Sequence, residues 1–375
     1  MTSRLARSTL CVLAFAGPAS AQESDDAARF KVAKAYEQIV ADYQRIAATN
    51  SATARAAAGR LVTFAYRNVV DRAKDVEELD ADDLYALGAC HEGLGQLDRA
   101  RELFSQSLKQ EPRPRTHLAI VRVNLEHDLD LADEHFAAAA KLNSEYPSLR
   151  QFRVALSNAH VRQQDWGGAA DYLERYMEFT KSLAQSQPGN PAVVAANAAV
   201  EKRLATLRRF AEMTGNTAPA LNTQHWVQGK AVKISGLRGK VVLLDFCAMW
   251  AAPSRARMER LKKLHAKYAD QGLEVMGVTL AYGHRYDPEK DEVDVNGDRA
   301  PADERADLGL FAKKHEIAYR LAVIGRATTD EFGVTSLPHT VVLDKQGQVN
   351  MILQAGDKEA EAEMEATVRE LLGIE

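Results

Sequence analysis

Residues 240–255 read KVVLLDFCAMWAAPSR. Val241 to Phe246 is an apolar run broken only by Asp245, and Pro253 follows within a few residues. An apolar segment of strand length running straight into a proline-started helix is the pattern of a buried strand feeding a helix. The surrounding sequence alternates in the same way. A hairpin is expected over Trp226–Ile234 around Gln228-Gly229-Lys230, then the strand just quoted and a helix over 252–270. A strand at Leu273–Leu280, a helix over 303–315, a strand at His339–Leu343, a turn at Asp344–Gly347, a strand at Gln348–Ala355 and a helix over 357–372 complete the series. Strands alternating with helices and closing on a hairpin and a helix imply a sheet covered on both faces.

The preceding part has a different period. From Ala27 to Thr214 it is Ala- and Leu-rich and helix-periodic, with breaks near Thr49–Ser51, Leu79–Asp82, Pro112–Pro114, Glu145–Pro147 and Pro188–Pro191. Breaks spaced by roughly 30 to 40 residues are those of stacked helix pairs. Between Ala81 and Pro114, the residues Leu84, Leu87, Gly88, His91, Gly95, Ala100, Phe104 and Pro112 stand at the offsets of a tetratricopeptide repeat, with Ser107 where the pattern prefers Ala. This segment resembles the tetratricopeptide-repeat family. Gly88 and Ala100 would let two helices approach closely, while Leu84, Leu87, Leu103, Phe104 and Leu108 fill the seam. Ala132, Phe136 and Ala139, and then Ala169, Leu173 and Tyr176, repeat the second-helix pattern more weakly. Such an array leaves a face free for a protein or peptide partner, or serves as a spacer. His91, His117, His127, His135 and His160 fall within it without the close spacing of a metal site.

Composition sets outer limits. With 375 residues, 46% hydrophobic and 27% charged, the chain is ordinary for a soluble protein of two or three domains, and its net charge of −4 argues against nucleic-acid binding. Arg4 and Arg7, the apolar Leu10–Phe15 and Ala19-Ser20-Ala21 read as a secretory signal at 1–21, which predicts an exported, periplasmic or other extracytoplasmic protein. No later segment reaches the roughly 20 apolar residues of a membrane-spanning helix. Of three cysteines, Cys11 would leave with the signal. Cys90 and Cys247 remain, as isolated buried thiols or as a bridge between domains.

Four segments, ISGLRGKVVLLDF, AMWAAPSR, LEVMGVTL and FGVTSLPHTVVLDKQGQV, resemble in order the signature segments of the TlpA-like and AhpC/TSA-like redoxin branch of the thioredoxin superfamily, from Ala218 to the end. The expected architecture is therefore a signal at 1–21, tetratricopeptide-like helices over 27–214, a linker at 215–223 and a thioredoxin-like α/β/α sandwich over 224–375. The resemblance implies roles for particular residues. Trp250 corresponds to the Trp before the family's CxxC motif, Asp245 to its buried acid, and Pro338 after Leu337 to its cis-proline facing the dithiol. Trp250, Pro253, Leu337 and Pro338 would frame a groove able to pair with an extended peptide.

Ala251 and Ser254, however, stand at the two cysteine positions. Dithiol exchange needs an attacking thiolate and a resolving thiol, and neither residue supplies one. Cys247 is the candidate thiol that remains, on the Asp245 face of the strand by period-two alternation; a strand cysteine beside a carboxylate is more readily structural than reactive. The expected function is thus a protein- or peptide-binding scaffold without cofactor or metal. The alternative is a thiol-disulfide oxidoreductase or peroxide-reacting redoxin of altered mechanism using Cys247.

Three weaker features remain. Ser254, Arg255, Arg257 and Arg260 at the helix start suggest an anion site or a solvated basic face. In the insertion Tyr286–Arg305, the residues Glu292, Asp294, Asn296, Gly297 and Asp303 imitate calcium-loop spacing, the alternative being a mobile surface loop. Glu259 stands where relatives carry a helix-kinking proline.

Overall fold

A computed structural model describes residues 30–48, 52–354 and 358–374. The expected secretory signal at 1–21, with Cys11, lies outside the described residues. The chain divides into two compact units, residues 1–159 and 160–375.

The first unit is helical: α1 (Val32–Ala47), α2 (Ala52–Ala73), α3 (Ala81–Gly93), α4 (Leu97–Gln110), α5 (Pro114–Asn124), α6 (Leu129–Leu142) and most of α7 (Leu149–Arg162). Helix starts coincide with local signals. The Asp80 carboxylate accepts from the Asp82 and Asp83 amides, Asp128 accepts from Leu131, and α5 begins at Pro114. In the α3–α4 pair Leu84, Leu87, Leu103 and Phe104 are buried as the repeat pattern requires. A Cβ on Gly88 would lie 2.7 Å from the Phe104 ring, which explains the glycine. Ser107 departs from the pattern without cost, because its buried hydroxyl donates to the Ala81 carbonyl at 2.7 Å.

The second unit opens with α8 (Trp166–Ser186) and α9 (Pro191–Met213), then runs β1 (Thr223–Gln228), β2 (Val241–Phe246), α10 (Ala252–Tyr268), β3 (Leu273–Thr279), β4 (Arg285–Asp287), β5 (Glu292–Asp294), α11 (Pro301–Lys314), β6 (Arg320–Ile324), α12 (Arg326–Glu331), β7 (His339–Leu343), β8 (Val349–Gln354) and α13 (Lys358–Leu372). Six strands form one sheet in the order β1-β6-β3-β2-β7-β8. β2 is parallel to β3 and antiparallel to β7, so this strand lies at the sheet centre and is buried along its whole length. This is the thioredoxin-like sheet that the sequence implied.

Period-two alternation divides β2 between two cores. Val241 and Leu243 pack with Met258 and Leu261 of α10, Phe311 of α11 and Met364 of α13. Val242, Leu244 and Phe246 pack on the other face with Trp166 and Leu173 of α8, Leu207 and Phe210 of α9, and Phe332. The helices α8 and α9, which the repeat pattern placed with the N-terminal array, thus form a layer over this sheet. The backbone joins it too: the Gly215 amide bonds to the Val349 carbonyl at 2.8 Å, and the Val349 amide donates in return to the Asn216 carbonyl at 2.9 Å.

Several local expectations need correction. The hairpin over Trp226–Ile234 does not form; β1 pairs with β6 instead, Gly229 turns the chain at φ +81, and Ile234–Leu237 is a 3-10 turn. β6 and α12 were not anticipated, although Arg320–Ile324, RLAVI, is an apolar run of strand length. The insertion is no bare loop, since β4 and β5 pair as a hairpin.

Candidate active site at the start of α10

Ala251 is the residue before α10, and Pro253 occupies the first turn, where its missing amide costs nothing. Ala251 is buried and offers no capping oxygen. Ser254 is fully buried, and its hydroxyl has no hydrogen-bond partner. The Leu337–Pro338 peptide bond is cis, as the resemblance implied. Because His339 opposes Phe246 across the β2–β7 ladder, Leu337 and Pro338 lie beside the chain where it leaves β2.

Trp250 is exposed and stands edge-on to Tyr282 and His284, with ring centroids at 5.6 and 5.9 Å. Tyr282 and His284 stack on each other at 5.6 Å. Their loop is fixed from below by the buried Glu304, whose carboxylate accepts from the amides of Tyr282 and Gly283 at 2.9 Å and of His284 at 3.3 Å. Gly283 allows the turn by adopting φ +78. Neither Glu304 nor Tyr282 stood out in the sequence, since nothing local marks an acid about 20 residues from the loop it holds.

Behind the helix start is a buried polar chain. Asp245 is fully buried and accepts a 2.7 Å hydrogen bond from the Thr340 hydroxyl. That hydroxyl accepts from Arg257 Nη1 at 2.9 Å, and Arg257 Nε donates to Glu361 at 2.8 Å. Burial pushes Asp245 up to about 7, against the pull of Arg257 and Thr340. Its second carboxylate oxygen has no partner. Arg257 is itself buried, so it is neither an anion ligand nor part of a solvated basic face. Arg260 also reaches Glu361, at 3.4 Å, and Arg255 pairs with Asp291 at 2.5 Å. Its place in the buried stripe Ser254, Arg257, Met258, Leu261 was the signal available for Arg257.

The thiols are out of reach. Cys247 is buried on the Asp245 face of β2, with its sulfur 3.6 Å from the Val278 carbonyl. Burial, reinforced by Asp245, pushes this thiol well above its ordinary range. Cys90 is buried in the first unit, and burial pushes it up to about 12. Cys90 and Cys247 are both free thiols. His339, absent from the sequence reading, is completely buried, with Phe210 and Phe246 each 5.6 Å away and neither ring nitrogen bonded. Burial, and then the Arg257 charge, push it down to about 3.

In the insertion, Asp291 ties the hairpin to Arg255, to the Tyr286 hydroxyl at 2.9 Å and to His315 at 2.9 Å. Burial works to raise this carboxylate, but the bonds from Tyr286 and His315 hold it below its usual range. Asp294 accepts from the Asn296 amide at 3.0 Å, and Asp303 lies in the first turn of α11. The calcium-like spacing does not fold into a coordination loop. Among the described residues no group of three or more His, Cys, Asp or Glu is placed to hold a metal ion.

Residues 214–352 match the family model described as AhpC/TSA family, and residues 81–114 match a tetratricopeptide repeat. The thiol-disulfide oxidoreductase ResA of Bacillus thuringiensis subsp. konkukian is 24% identical over 124 residues, which is 33% of this chain and 60% of that protein. The thioredoxin-like protein YneN of Bacillus subtilis is 27% identical over 138 residues, covering 37% of this chain and 69% of that protein. Among solved structures, a thiol:disulfide interchange protein of the thioredoxin family from Chlorobium tepidum aligns over 42% of this chain and 97% of its own at 20% identity, with a TM-score of 0.33. The C-terminal region of this chain is thus an AhpC/TSA-family domain of thioredoxin-like fold, and its N-terminal half carries a tetratricopeptide repeat.

Proposed function

We propose that this chain is a thioredoxin-fold protein that has lost its dithiol and serves as an exported protein- or peptide-binding scaffold. The observation that carries the reading is the state of the helix start, where Ala251 and the buried, unpartnered Ser254 stand at the positions that the resemblance assigns to the two sulfurs. No thiolate can form there, and the only thiol of the second unit is sealed beneath the sheet face. What remains is a frame suited to binding: exposed Trp250 braced by Tyr282 and His284, together with a cis-proline of the kind whose neighbouring backbone can pair with an extended peptide. The repeat array adds a second protein-binding surface of a kind common to such arrays. The signal at 1–21, the repeat range 27–214, the linker at 215–223 and the redoxin range 224–375 belong to the same proposal.

The relatives are named as thiol-disulfide oxidoreductases, and the second reading is exchange of that kind using Cys247, the one cysteine of the second unit. One set of assays separates the two. Disulfide reduction and peroxide consumption are measured for the natural protein, Cys247→Ser, and an Ala251→Cys/Ser254→Cys double variant. The scaffold reading expects activity in the double variant alone. Activity in the natural protein that disappears with Cys247→Ser overturns it.

A further inference from the structure

In the sequence His117 and His135 are two of several scattered histidines. The fold brings them together: α5 and α6 are consecutive helices, and the two Nδ1 atoms lie 2.9 Å apart, with ring centroids at 5.0 Å and planes tilted by 45°. Both side chains are half-buried. We propose that this pair is a binding site for one divalent late first-row transition metal, with Nδ1 of each histidine as ligand.

Three observations support the assignment. Nitrogen ligands at about 2.0–2.1 Å from a tetrahedral ion stand about 3.3 Å from each other, so the rings need to part by only about half an ångström for the ion to replace the hydrogen they now share. Two Nδ1 atoms at 2.9 Å have room for only one hydrogen between them, so one of the two already turns a lone pair toward the other, and a metal takes the place of that hydrogen. Glu134, exposed and adjacent in sequence to His135, acts electrostatically on both rings and favours positive charge between them. Imidazole nitrogen selects zinc-, copper- or nickel-class ions over calcium or magnesium. Since no third His, Cys, Asp or Glu completes the group among the described residues, water fills the other positions and the ion exchanges readily.

The test titrates zinc chloride into the full-length protein by calorimetry at pH 7.5, beside His117→Gln, His135→Gln and the double variant. The site predicts one zinc per chain, weakening of at least about tenfold in each single variant, and loss of that site in the double variant. Absence of saturable binding, or binding retained in the double variant, overturns it. Because a variant that loses helix would mimic a lost ligand, nitrogen NMR of the natural protein supplies an independent measurement. Zinc must shift Nδ1 of His117 and His135, and unshifted resonances at saturation also overturn the proposal.

Discussion

Two buried groups near the centre of the second unit should pull its stability in opposite directions as pH changes. Asp245 is pushed up to about 7 from an ordinary 3.8, so the folded unit binds more protons than the unfolded chain between those values. Its contribution is fully present below pH 3.8 and is lost as pH rises through 7, a change on the order of 4 kcal/mol. His339 is pushed from 6.5 down to about 3, so here the unfolded chain binds more protons. Its contribution is present above pH 6.5 and is lost as pH falls toward 3, on the order of 5 kcal/mol. Between pH 4 and 6.5 the slopes cancel, and the natural protein should show a nearly flat profile from this pair. Asp245→Asn keeps the oxygen that Thr340 bonds and removes one slope, so stability should fall by about 3 kcal/mol from pH 6.5 to 4. At pH 7.5 the same variant should gain about 1–3 kcal/mol over the natural protein, the avoided charge exceeding the cost of one unpaired buried amide. His339→Leu should show the mirror image, losing stability as pH rises from 4 to 7. Urea unfolding followed by tryptophan fluorescence reads this directly, because the chain's 3 tryptophans, Trp166, Trp226 and Trp250, all lie in the second unit. If the Asp245→Asn profile runs parallel to that of the natural protein from pH 4.5 to 7.5, the burial argument fails.

Three other outcomes follow from the packing. A fragment starting at residue 215 matches the family domain but leaves the face of Val242, Leu244 and Phe246 without α8 and α9; it should lack a cooperative urea transition, whereas a fragment of residues 160–375 should retain one. Glu304→Ala strips three amides of their acceptor and should cost about 2–4 kcal/mol, with a shift in Trp250 emission as the Tyr282–His284 loop loosens. Cys90 and Cys247 should resist alkylation in the folded protein and react in denaturant, as peptide mass mapping would show; rapid native labelling of Cys247 would revive the oxidoreductase reading.

Much of this was legible in the chain. The apolar run at Val241–Phe246 with its proline-started helix, the alternation after it, and the Gly88–Ala100–Phe104 spacing are local patterns. Strand and helix periods write them directly into the sequence. That Ala251 and Ser254 carry no sulfur likewise needs only residue identity. Other features depended on residues far apart in the chain. Arg257 looked like part of a basic helix face until Thr340 and Glu361, from β7 and α13, enclosed it. His339 had no signal at the start of a strand that runs into Val341, Val342 and Leu343, and its isolation comes from Phe210 of α9 and Phe246 of β2.

The sequence by itself therefore determined the two kinds of structure in this protein and the lack of sulfur at Ala251 and Ser254, because periodicity and residue chemistry are local. Tertiary structure alone decided that α8 and α9 seal the sheet, that Asp245 and Arg257 share a buried chain, that Cys247 is inaccessible, and that His117 meets His135. Each of these rests on contacts between segments distant along the chain, where burial and charge are set by what the fold brings near and not by what the sequence places next.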